Sequence, residues 1–263
     1  MYAKSLLCSS GHCFDLAKQG YVNLLTRPHK TKYDSQLFEA RQKVSISGFF
    51  EPLISHISES IPHMMKPSCD MIRMLDAGCG EGSHLTAIQN RILARTNLNI
   101  FGVGVDISKE GIRIAARSTS DIIWCVGDLA HCPFKDQSFH VILNLLSPSN
   151  YSEFHRMLTD DGLVIKVIPE SMHLQELRLI IHHQTEREVY SNEHIRELFI
   201  RNFQLLESQR ISYKIAVRKE QMVQLMQMTP LSWGISDEAL HPFTTQQSEV
   251  TFDFSVLYGK KVR

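Results

Sequence analysis

Three glycines within five positions follow a short apolar run that ends in an acid, in the stretch MLDAGCGEGSHL at 74–85. Gly78, Gly80 and Gly82 permit a sharp backbone bend and a close approach to a ligand, at a cost in backbone entropy. Such a turn is typical between the first strand of a doubly wound sheet and the next helix, where ligands bind at the carboxyl ends of the strands. The alternative is a connecting turn without a ligand.

Strand and helix patterns alternate around this turn. Apolar runs predict seven strands, at 71–78, 100–108, 122–128, 139–147, 163–169, 211–217 and 251–260. Helical spacing lies between most of them, and the helix at 151–162 is expected to end at Gly162. The pattern predicts an α/β fold with a doubly wound, mostly parallel seven-stranded sheet, in which one strand near the end of the chain is reversed.

Composition excludes several classes of protein. Lys plus Arg and Asp plus Glu both number 28 in the 263 residues, so no overall positive field draws the molecule to nucleic acid or to an anionic membrane. The apolar runs are far shorter than the ~20 residues of a spanning helix, and no signal peptide is recognisable. We therefore expect a cytoplasmic protein with no membrane partner, whose six cysteines are mostly free thiols.

Acidic side chains follow three of the predicted strands. A carboxylate at Asp76 would repel a pyrophosphate, and it suits a ligand that carries an ammonium or a sulfonium group, as S-adenosylmethionine does. Asp106 ends the second strand, where an acid can accept both ribose hydroxyls. Asp128 follows the third strand, from which it can accept a hydrogen bond from the adenine amine.

Four motifs carry a resemblance in this order and spacing: LDAGCGEG, GVDIS, GDLAHCPFKDQSFHVIL and DDGLVIKVIP. Over 70–170 the chain resembles the class I S-adenosylmethionine-dependent methyltransferases, which have a Rossmann-like fold. A narrower resemblance is carried by HCFDLAKQGYVNLL, FEARQKVSISGFFEPL, PESMHLQEL and LMQMTPLSW. These are similar to the RlmA family of bacterial enzymes, which methylate N1 of a guanine in a hairpin of large-subunit (23S) ribosomal RNA and in some members confer macrolide resistance.

The resemblance implies a set of cofactor-binding residues. Phe50, His84, Leu85 and His173 would line the pocket for S-adenosylmethionine, beside the residues already singled out. We also place in the cofactor site Ile107 and Leu129, which follow two of the acids, and Asn144 at the end of the fourth strand. Taken alone, Phe50 would be a core aromatic residue and His84 a solvent-facing residue of a helix.

The first residues depart from the family's pattern. RlmA-type proteins have an N-terminal zinc module with two ligand pairs, and here only Cys8 and His12 of the second pair are found. Two ligands cannot close a tetrahedral site. Either the first arm is missing through truncation or choice of start site, or the protein does without metal. We leave zinc open and favour a free thiol and a surface imidazole in this remnant of the module.

Residues 1–43 carry seven Lys or Arg against three acids. We interpret 1–43 as an RNA-contacting segment with an incomplete zinc module and 44–263 as the methyltransferase domain. Lys30 and Lys32 would contact phosphates, with an affinity that falls steeply with salt. The alternative is a solvated arm. The resemblance also implies a homodimer, which nothing in the residue pattern shows.

A guanine in a loop must be splayed or flipped into a pocket to be methylated. Tyr151 and Trp233 are candidates for the wall of that pocket, and Ser147 and Asn144 could orient the base through hydrogen bonds. Guanine N1 carries a proton at neutral pH, which must leave by some route. No residue is assigned as its acceptor.

Two other functions remain compatible with the sequence. A class I methyltransferase that acts on a small molecule would share 70–170, but it would have no use for the basic N-terminal segment. A non-catalytic S-adenosylmethionine-binding relative would keep the fold without the chemistry. Methyl transfer to RNA distinguishes all three.

Overall fold

The structure is a computed structural model that describes residues 5–8, 10–25, 27, 29, 33–65, 71–118, 121–181, 191–229 and 248–262. Its strands are β1 (Ser5–Leu7), β2 (Cys13–Asp15), β3 (Val22–Asn23), β4 (Met71–Ala77), β5 (Asn99–Asp106), β6 (Ile122–Val126), β7 (Phe139–Leu145), β8 (Leu158–Pro169), β9 (Phe203–Val217) and β10 (Ser248–Lys261). Its helices are α1 (Ser35–Ile46), α2 (Glu51–Met64), α3 (Ser83–Arg95), α4 (Lys109–Ser118), α5 (Tyr151–Met157), α6 (Gln175–Ile181), α7 (Glu193–Asn202) and α8 (Lys219–Gln227).

The central sheet has the strand order β3-β6-β5-β4-β7-β8-β10-β9 in the described part of the chain. The first six strands of this order are parallel to one another. β10 runs antiparallel to both of its neighbours, β8 and β9. The predicted doubly wound, mostly parallel sheet is confirmed, and β10 is the reversed strand.

The sheet differs from the prediction by one strand. The seven predicted strands are present, and the two-residue strand β3 adds an eighth at the edge, parallel to β6. Val22 of β3 is 1% exposed, so this short strand contributes to the core. Two residues are too few to show an alternating pattern, which explains why the sequence did not reveal the strand.

The helix at 151–162 is shorter than predicted. α5 ends at Met157, and β8 begins at Leu158 rather than after Gly162. Leu158 pairs with Phe139 of β7 and is fully buried. Pairing with a neighbouring strand therefore overrides the local helical pattern.

Helices cover both faces of the sheet. One core cluster contains side chains from α1, α2, α3, α4 and α8, and a second contains side chains from α5 and α7. Asp34 caps α1 by accepting a hydrogen bond from Leu37 N at 2.9 Å. α1 contains both 43 and 44, so the boundary proposed from the sequence lies inside a helix that packs on the domain.

Two findings bear on the expectations from composition. None of the helices in the described residues is long and apolar enough to cross a membrane. The cysteines at 8, 13, 79, 125 and 132 are free thiols.

Candidate active site

Asp76 lies near the carboxyl end of β4 and is 2% exposed. Its Oδ1 is buried and has no hydrogen-bond partner in the described structure. Burial raises the pKa of this carboxyl to about 8, and the negative charges of Asp106 and Glu81 add to the effect. A buried acceptor without a partner is costly, and a ligand that brings a positive charge or a donor would remove that cost.

The glycine turn joins β4 to α3 and holds Asp106 in place. Gly80 N donates to Asp106 Oδ2 at 2.9 Å, and Ser108 N donates to Asp106 Oδ1 at 2.8 Å. Burial raises the pKa of Asp106, and these backbone donors oppose the rise. Each carboxylate oxygen keeps a further lone pair, so the predicted contact with ribose hydroxyls is compatible with this geometry.

Two of the glycines are required because neighbouring side chains occupy the space of a Cβ, whereas the sequence predicted a sharp bend and a close approach to a ligand. A Cβ at Gly78 (φ +85°) would lie 2.5 Å from Ser147 Oγ, and a Cβ at Gly82 would overlap the ring of Trp124. These two glycines make room for other side chains of the protein. At Gly80 the nearest atom is Arg41 Nη1, at 3.3 Å from the Cβ position. The turn is therefore specified by packing as much as by approach to a ligand.

A cavity of about 200 Å³ lies beside the turn. The predicted residues Phe50, Asp76, Gly78, His84 and His173, which are far apart in the sequence, line it together. Its other lining residues are Arg41, Cys79, Glu81, Leu145, Leu146, Pro169, Leu174, Met228 and Thr229. We call it the cofactor cavity.

Both histidines of the cofactor cavity are neutral. Burial lowers the pKa of His84 to about 4, and it lowers that of His173 to about 4 as well. His84 Nε2 is buried without a partner in the described structure, while His173 Nδ1 accepts from Asp253 N at 3.3 Å. The ring of His84 lies edge-on to Phe50, with the ring centroids 4.6 Å apart. These rings form a largely apolar wall in which His84 Nε2 is available to a ligand.

The remaining predicted cofactor residues lie around this cavity rather than on its lining. Ile107 and Leu129 are half-buried, at the ends of β5 and β6. Asp128 Oδ1 accepts from Ala130 N at 2.8 Å in a turn that follows β6. The side chain of Leu85 is fully buried in the core, so the prediction that it lines the pocket is not met.

Asn144 has a different role from the one predicted. It is fully buried, and its Nδ2 donates to Ala77 O at 2.8 Å and to Ser147 Oγ at 2.6 Å. Its Oδ1 accepts from Lys166 Nζ at 2.6 Å. Because its polar atoms are satisfied within the protein, Asn144 orients the loop after β7 and has no free group for a cofactor or a base.

A larger cavity of about 460 Å³ lies at the carboxyl ends of β7 and β8. It is lined by Leu146, Ser147, Pro148, Ser149, Tyr151, Lys166, Val167, Ile168, Pro169, Ile195 and Leu198. Leu146 and Pro169 also line the cofactor cavity, so the two cavities are neighbours. We call this second space the acceptor cavity.

Two of the residues predicted to contact the substrate lie in the acceptor cavity. Ser147 lines it through the loop after β7, and Tyr151 lines it from α5 while its ring packs on Phe154 and Phe203. Trp233, Lys30 and Lys32 lie outside the described residues. The structure therefore places two of the five residues predicted to contact the substrate, Ser147 and Tyr151, in one cavity.

Comparison with known proteins identifies the family. The chain is 41% identical over 261 residues to YxjB of Bacillus subtilis, a candidate 23S rRNA (guanine-N1-)-methyltransferase by its name, and the match covers 98% of this chain and 92% of YxjB. The chain belongs to the 23S rRNA (guanine-N1-)-methyltransferase family. It is also 29% identical to a 23S rRNA (guanine(748)-N1)-methyltransferase of Streptomyces fradiae, over 88% of this chain and 80% of that protein.

Two domain families agree with this assignment, and a solved structure shares the fold. A family described as a methyltransferase domain matches 74–162, and a family described as RlmA, N-terminal, matches 2–32. A chain from the complex of the Haloferax volcanii Trm112 methyltransferase activator with a methyltransferase shares the fold, with a TM-score of 0.51 and 17% identity. That match covers 89% of this chain and 100% of the other. Membership in the family makes this an S-adenosylmethionine-dependent methyltransferase.

The N-terminal hairpin does not form a complete zinc site in the described residues. β1 and β2 are joined by a tight turn that brings Cys8 Sγ to 3.3 Å from His12 Nδ1. Hydrogen bonds with His12 lower the pKa of the Cys8 thiol. Within the described chain, no group of three or more His, Cys, Asp or Glu side chains could hold a metal ion. The two donors present do not fit the four-ligand zinc site of the family's ribbon module.

Three charged residues of the two cavities were missed from the sequence. Arg41 comes from α1, and Glu81, which is 2% exposed, accepts from Ser83 Oγ at the start of α3. Lys166 is 4% exposed, within the apolar run of β8. A charged residue inside the apolar run LVIKVIP was the one available signal, because lysine is rarely buried without a partner.

Proposed function

We propose that this chain transfers a methyl group from S-adenosylmethionine to N1 of a guanine in a hairpin of 23S ribosomal RNA. The observation that carries the proposal is the pair of neighbouring cavities that share Leu146 and Pro169 in a chain of this family. One cavity has the chemistry of a cofactor site. The other is large enough for an extruded base, which a loop guanine must become.

The residues of the cofactor cavity fit S-adenosylmethionine. Asp76 and Glu81 supply buried carboxyl groups that a cationic ligand would hold in the ionised form, while Arg41 supplies a positive group for a carboxylate. Asp106, Asp128 and the residues beside them are proposed for the ribose and the adenine. When bound, S-adenosylmethionine supplies an electrophilic methyl group on a sulfonium centre.

The chain's own contribution is to position the base and exclude water. Ser147 Oγ donates to Ala77 O at 2.8 Å, which fixes the loop after β7 against the glycine turn. Ser147, Pro148 and Tyr151 then form one side of the acceptor cavity. Holding two reactants in a fixed orientation supplies much of the acceleration in a displacement of this kind.

The RNA itself is proposed to contact 1–43. The excess of basic residues there and the match of 2–32 to the RlmA N-terminal family support this assignment. A homodimer and a cytoplasmic location, which the resemblance and the composition imply, stay predictions that accompany the function. Sedimentation of the purified protein with and without RNA tests the dimer.

Methylation of ribosomal RNA from cells that lack the enzyme tests the proposal. Purified protein with tritiated S-adenosylmethionine should label 23S rRNA, and the label should coincide with a stop of reverse transcription, since an N1 methyl group blocks base pairing. Label in a small-molecule fraction would indicate a small-molecule methyltransferase. Cofactor binding without any transfer would indicate a non-catalytic relative. Lys214→Met, at an exposed position on β9, is the control that should stay active.

A further inference from the structure

A buried lysine at the acceptor cavity is not explained by the function as stated so far. Lys166 lies in the middle of β8, paired with Asn144 of β7, and is 4% exposed. It is one of the lining residues of the acceptor cavity. A lysine in this position pays a large desolvation cost, and no acidic side chain of the described structure forms an ion pair with it.

The hydrogen bonds of Lys166 leave one position of its nitrogen free. Nζ donates to Asn144 Oδ1 at 2.6 Å and to Ser147 O at 2.6 Å. An ammonium has three N–H groups, whereas a neutral amine has two N–H groups and a lone pair. With both acceptors satisfied, the neutral amine therefore keeps its lone pair for a ligand in the cavity that Lys166 lines.

The environment makes the neutral amine more accessible than it is in an exposed lysine. Burial lowers the pKa of Lys166 to about 8, so a fraction of the side chain is uncharged near neutral pH. Among the residues that line the acceptor cavity, Tyr151 is the other titratable group, and burial raises its pKa. α7 contributes only Ile195 and Leu198 to the lining.

Acidic groups on and beside the neighbouring strand β10 are already paired. On β10, Asp253 is bound by Arg210, and Ser255 donates to Glu170 beyond the end of β8. These groups lie at the same end of the sheet as Lys166. None of them accounts for the lowered pKa of Lys166, whose cause is burial.

We propose that Lys166 is a catalytic residue of this enzyme and accepts the N1 proton of the guanine that occupies the acceptor cavity, an inference that rests on the proposed function. As the bond from N1 to the methyl carbon forms and the sulfur–methyl bond breaks, the N1–H electron pair stays on the base. The proton passes to the lone pair of Lys166 Nζ. The positive charge of the sulfonium thus ends on the ammonium, and atoms and charge balance.

Two hydrogen bonds from Lys166 Nζ hold this proton acceptor in place. Asn144 and the Ser147 carbonyl hold Nζ by its two remaining hydrogens, and Asn144 and Ser147 Oγ in turn bind Ala77 O at the end of β4. The same network therefore connects Lys166 to the glycine turn of the cofactor cavity. Asn144 acts as a positioning residue in this arrangement.

Two substitutions at Lys166 separate proton transfer from the other roles of the side chain. Lys166→Met keeps the length of the chain but removes the nitrogen, and Lys166→Arg keeps the charge and the donors but cannot accept a proton at any relevant pH. We expect both to lower the single-turnover methylation rate by about 10²- to 10⁴-fold. Affinity for S-adenosylmethionine, measured by calorimetry, should change by less than about threefold, which also shows that the variants fold.

The pH profile gives a readout that a structural role would not produce. At saturating S-adenosylmethionine, the wild-type rate should rise with pH and level off above about pH 8, as Lys166 becomes neutral. The residual rate of Lys166→Met should continue to rise without this plateau, because solvent must then remove the N1 proton. Nitrogen NMR of labelled lysine in the RNA-free protein should show one resonance titrating near pH 8 that is absent from Lys166→Met.

The experiment distinguishes failure of the inference about Lys166 from failure of the proposed function. If wild-type protein does not methylate RNA, the function itself is wrong. If it does, and Lys166→Arg keeps more than a tenth of the rate, Lys166 is a donor or a structural residue and the inference is overturned. An active Lys166→Met would overturn it as well. Lys214→Met, which removes an exposed lysine from β9, is the matched control for loss of charge.

Discussion

Single residues of the cofactor cavity have protonation states that differ from those of the same side chains in water. Asp76 is the clearest case, because its carboxyl is buried beside two other acids and its pKa is about 8. At pH 7 the free protein therefore keeps this group largely protonated. A ligand with a positive charge favours the ionised form, so binding of such a ligand and release of a proton are linked.

Cofactor affinity should depend on pH through Asp76. As pH rises from about 6 to 8, less free energy is needed to ionise the carboxyl, so wild-type affinity for S-adenosylmethionine should increase and then level off. In Asp76→Asn this dependence should disappear, and affinity at pH 8 should fall by about 1–3 kcal/mol. Calorimetry at pH 7 in buffers of different ionisation enthalpy measures the proton released.

Stability provides the control for this prediction. A carboxyl whose pKa is raised by folding stabilises the protein most below the unfolded pKa of 3.8, and that contribution is lost as pH rises towards 8. The difference in free energy of unfolding between wild type and Asp76→Asn should follow this trend in chemical denaturation. Binding without proton exchange in the wild type would show that Asp76 is not the cation's partner.

Gly78 offers a second test at the scale of one residue. In Gly78→Ala a new Cβ would meet Ser147 Oγ at 2.5 Å and the backbone would keep φ +85°, so the loop after β7 must shift. We expect a loss of about 2–4 kcal/mol in unfolding free energy and weaker cofactor binding. Gly20→Ala is the matched control, since φ is +91° there but no atom lies within 4 Å of the Cβ position. Equal losses in both variants would show that strain alone decides.

At the scale of elements, α1 connects the N-terminal segment to the cofactor cavity. It begins at the Asp34 cap, packs against α8, α4 and α3, and places Arg41 on the cavity lining. Burial raises the pKa values of Glu81 and Asp106, and the positive charge of Arg41 opposes this rise. A helix outside the glycine-turn motif therefore supplies the positive group of the site.

Arg41→Met should weaken binding of S-adenosylmethionine by about tenfold or more, because a buried carboxylate of the ligand would lose a charged donor. Binding of decarboxylated S-adenosylmethionine should be the same in wild type and variant. Lys43→Met removes an exposed charge from the same helix and is the control. Equal loss for both ligands would show that Arg41 shapes the cavity without contacting the carboxylate.

The sequence was informative where the signal is local. The glycines, Asp76 and Asp106 lie on one strand–turn–helix unit and the strand beside it, so their spacing alone predicted a shared site. Arg41 and Lys166 could not be found in this way, because only the folded sheet and the packing of α1 bring them to the cavities. Asn144 was assigned to a ligand because hydrogen bonds within the loop after β7 are invisible in sequence.

The prediction of helices and strands was limited in the same way, because some of their bounds depend on contacts with residues distant in the sequence. β8 extends back to Leu158 because a neighbouring strand offers Phe139 as a partner, and no pattern in 151–162 shows this. α1 and α7 were not predicted. The apolar stripe of α1 is weak, and in α7 the buried residue is Phe199.

For the whole molecule, charge is distributed unevenly although its sum is zero. The basic excess of 1–43 is the one feature that suits a polyanionic substrate, and Lys30 and Lys32 belong to it. In the double variant Lys30→Ala with Lys32→Ala, affinity for a 23S rRNA hairpin at low salt should fall. The slope of log affinity against log salt should decrease in magnitude by about 1.5, as expected for two phosphate contacts.

Cofactor affinity of the same double variant should be unchanged in calorimetry, because neither lysine is among the residues proposed to bind S-adenosylmethionine. Gel-shift or fluorescence titrations at several salt concentrations measure the slope. An unchanged RNA affinity would mean that another surface binds the hairpin.

The position of β10 has a consequence for how this protein folds. β10 follows every other described strand in the chain, yet it lies inside the sheet, where it is the described partner of β9 and its Asp253 N–H binds His173 of the cofactor cavity. Before β10 is in place, β9 lacks its described partner strand, and the ring of His173 lacks the hydrogen bond from Asp253 N. We expect the cofactor cavity to be completed only once β10 has paired with β8, so that affinity for S-adenosylmethionine appears late in folding.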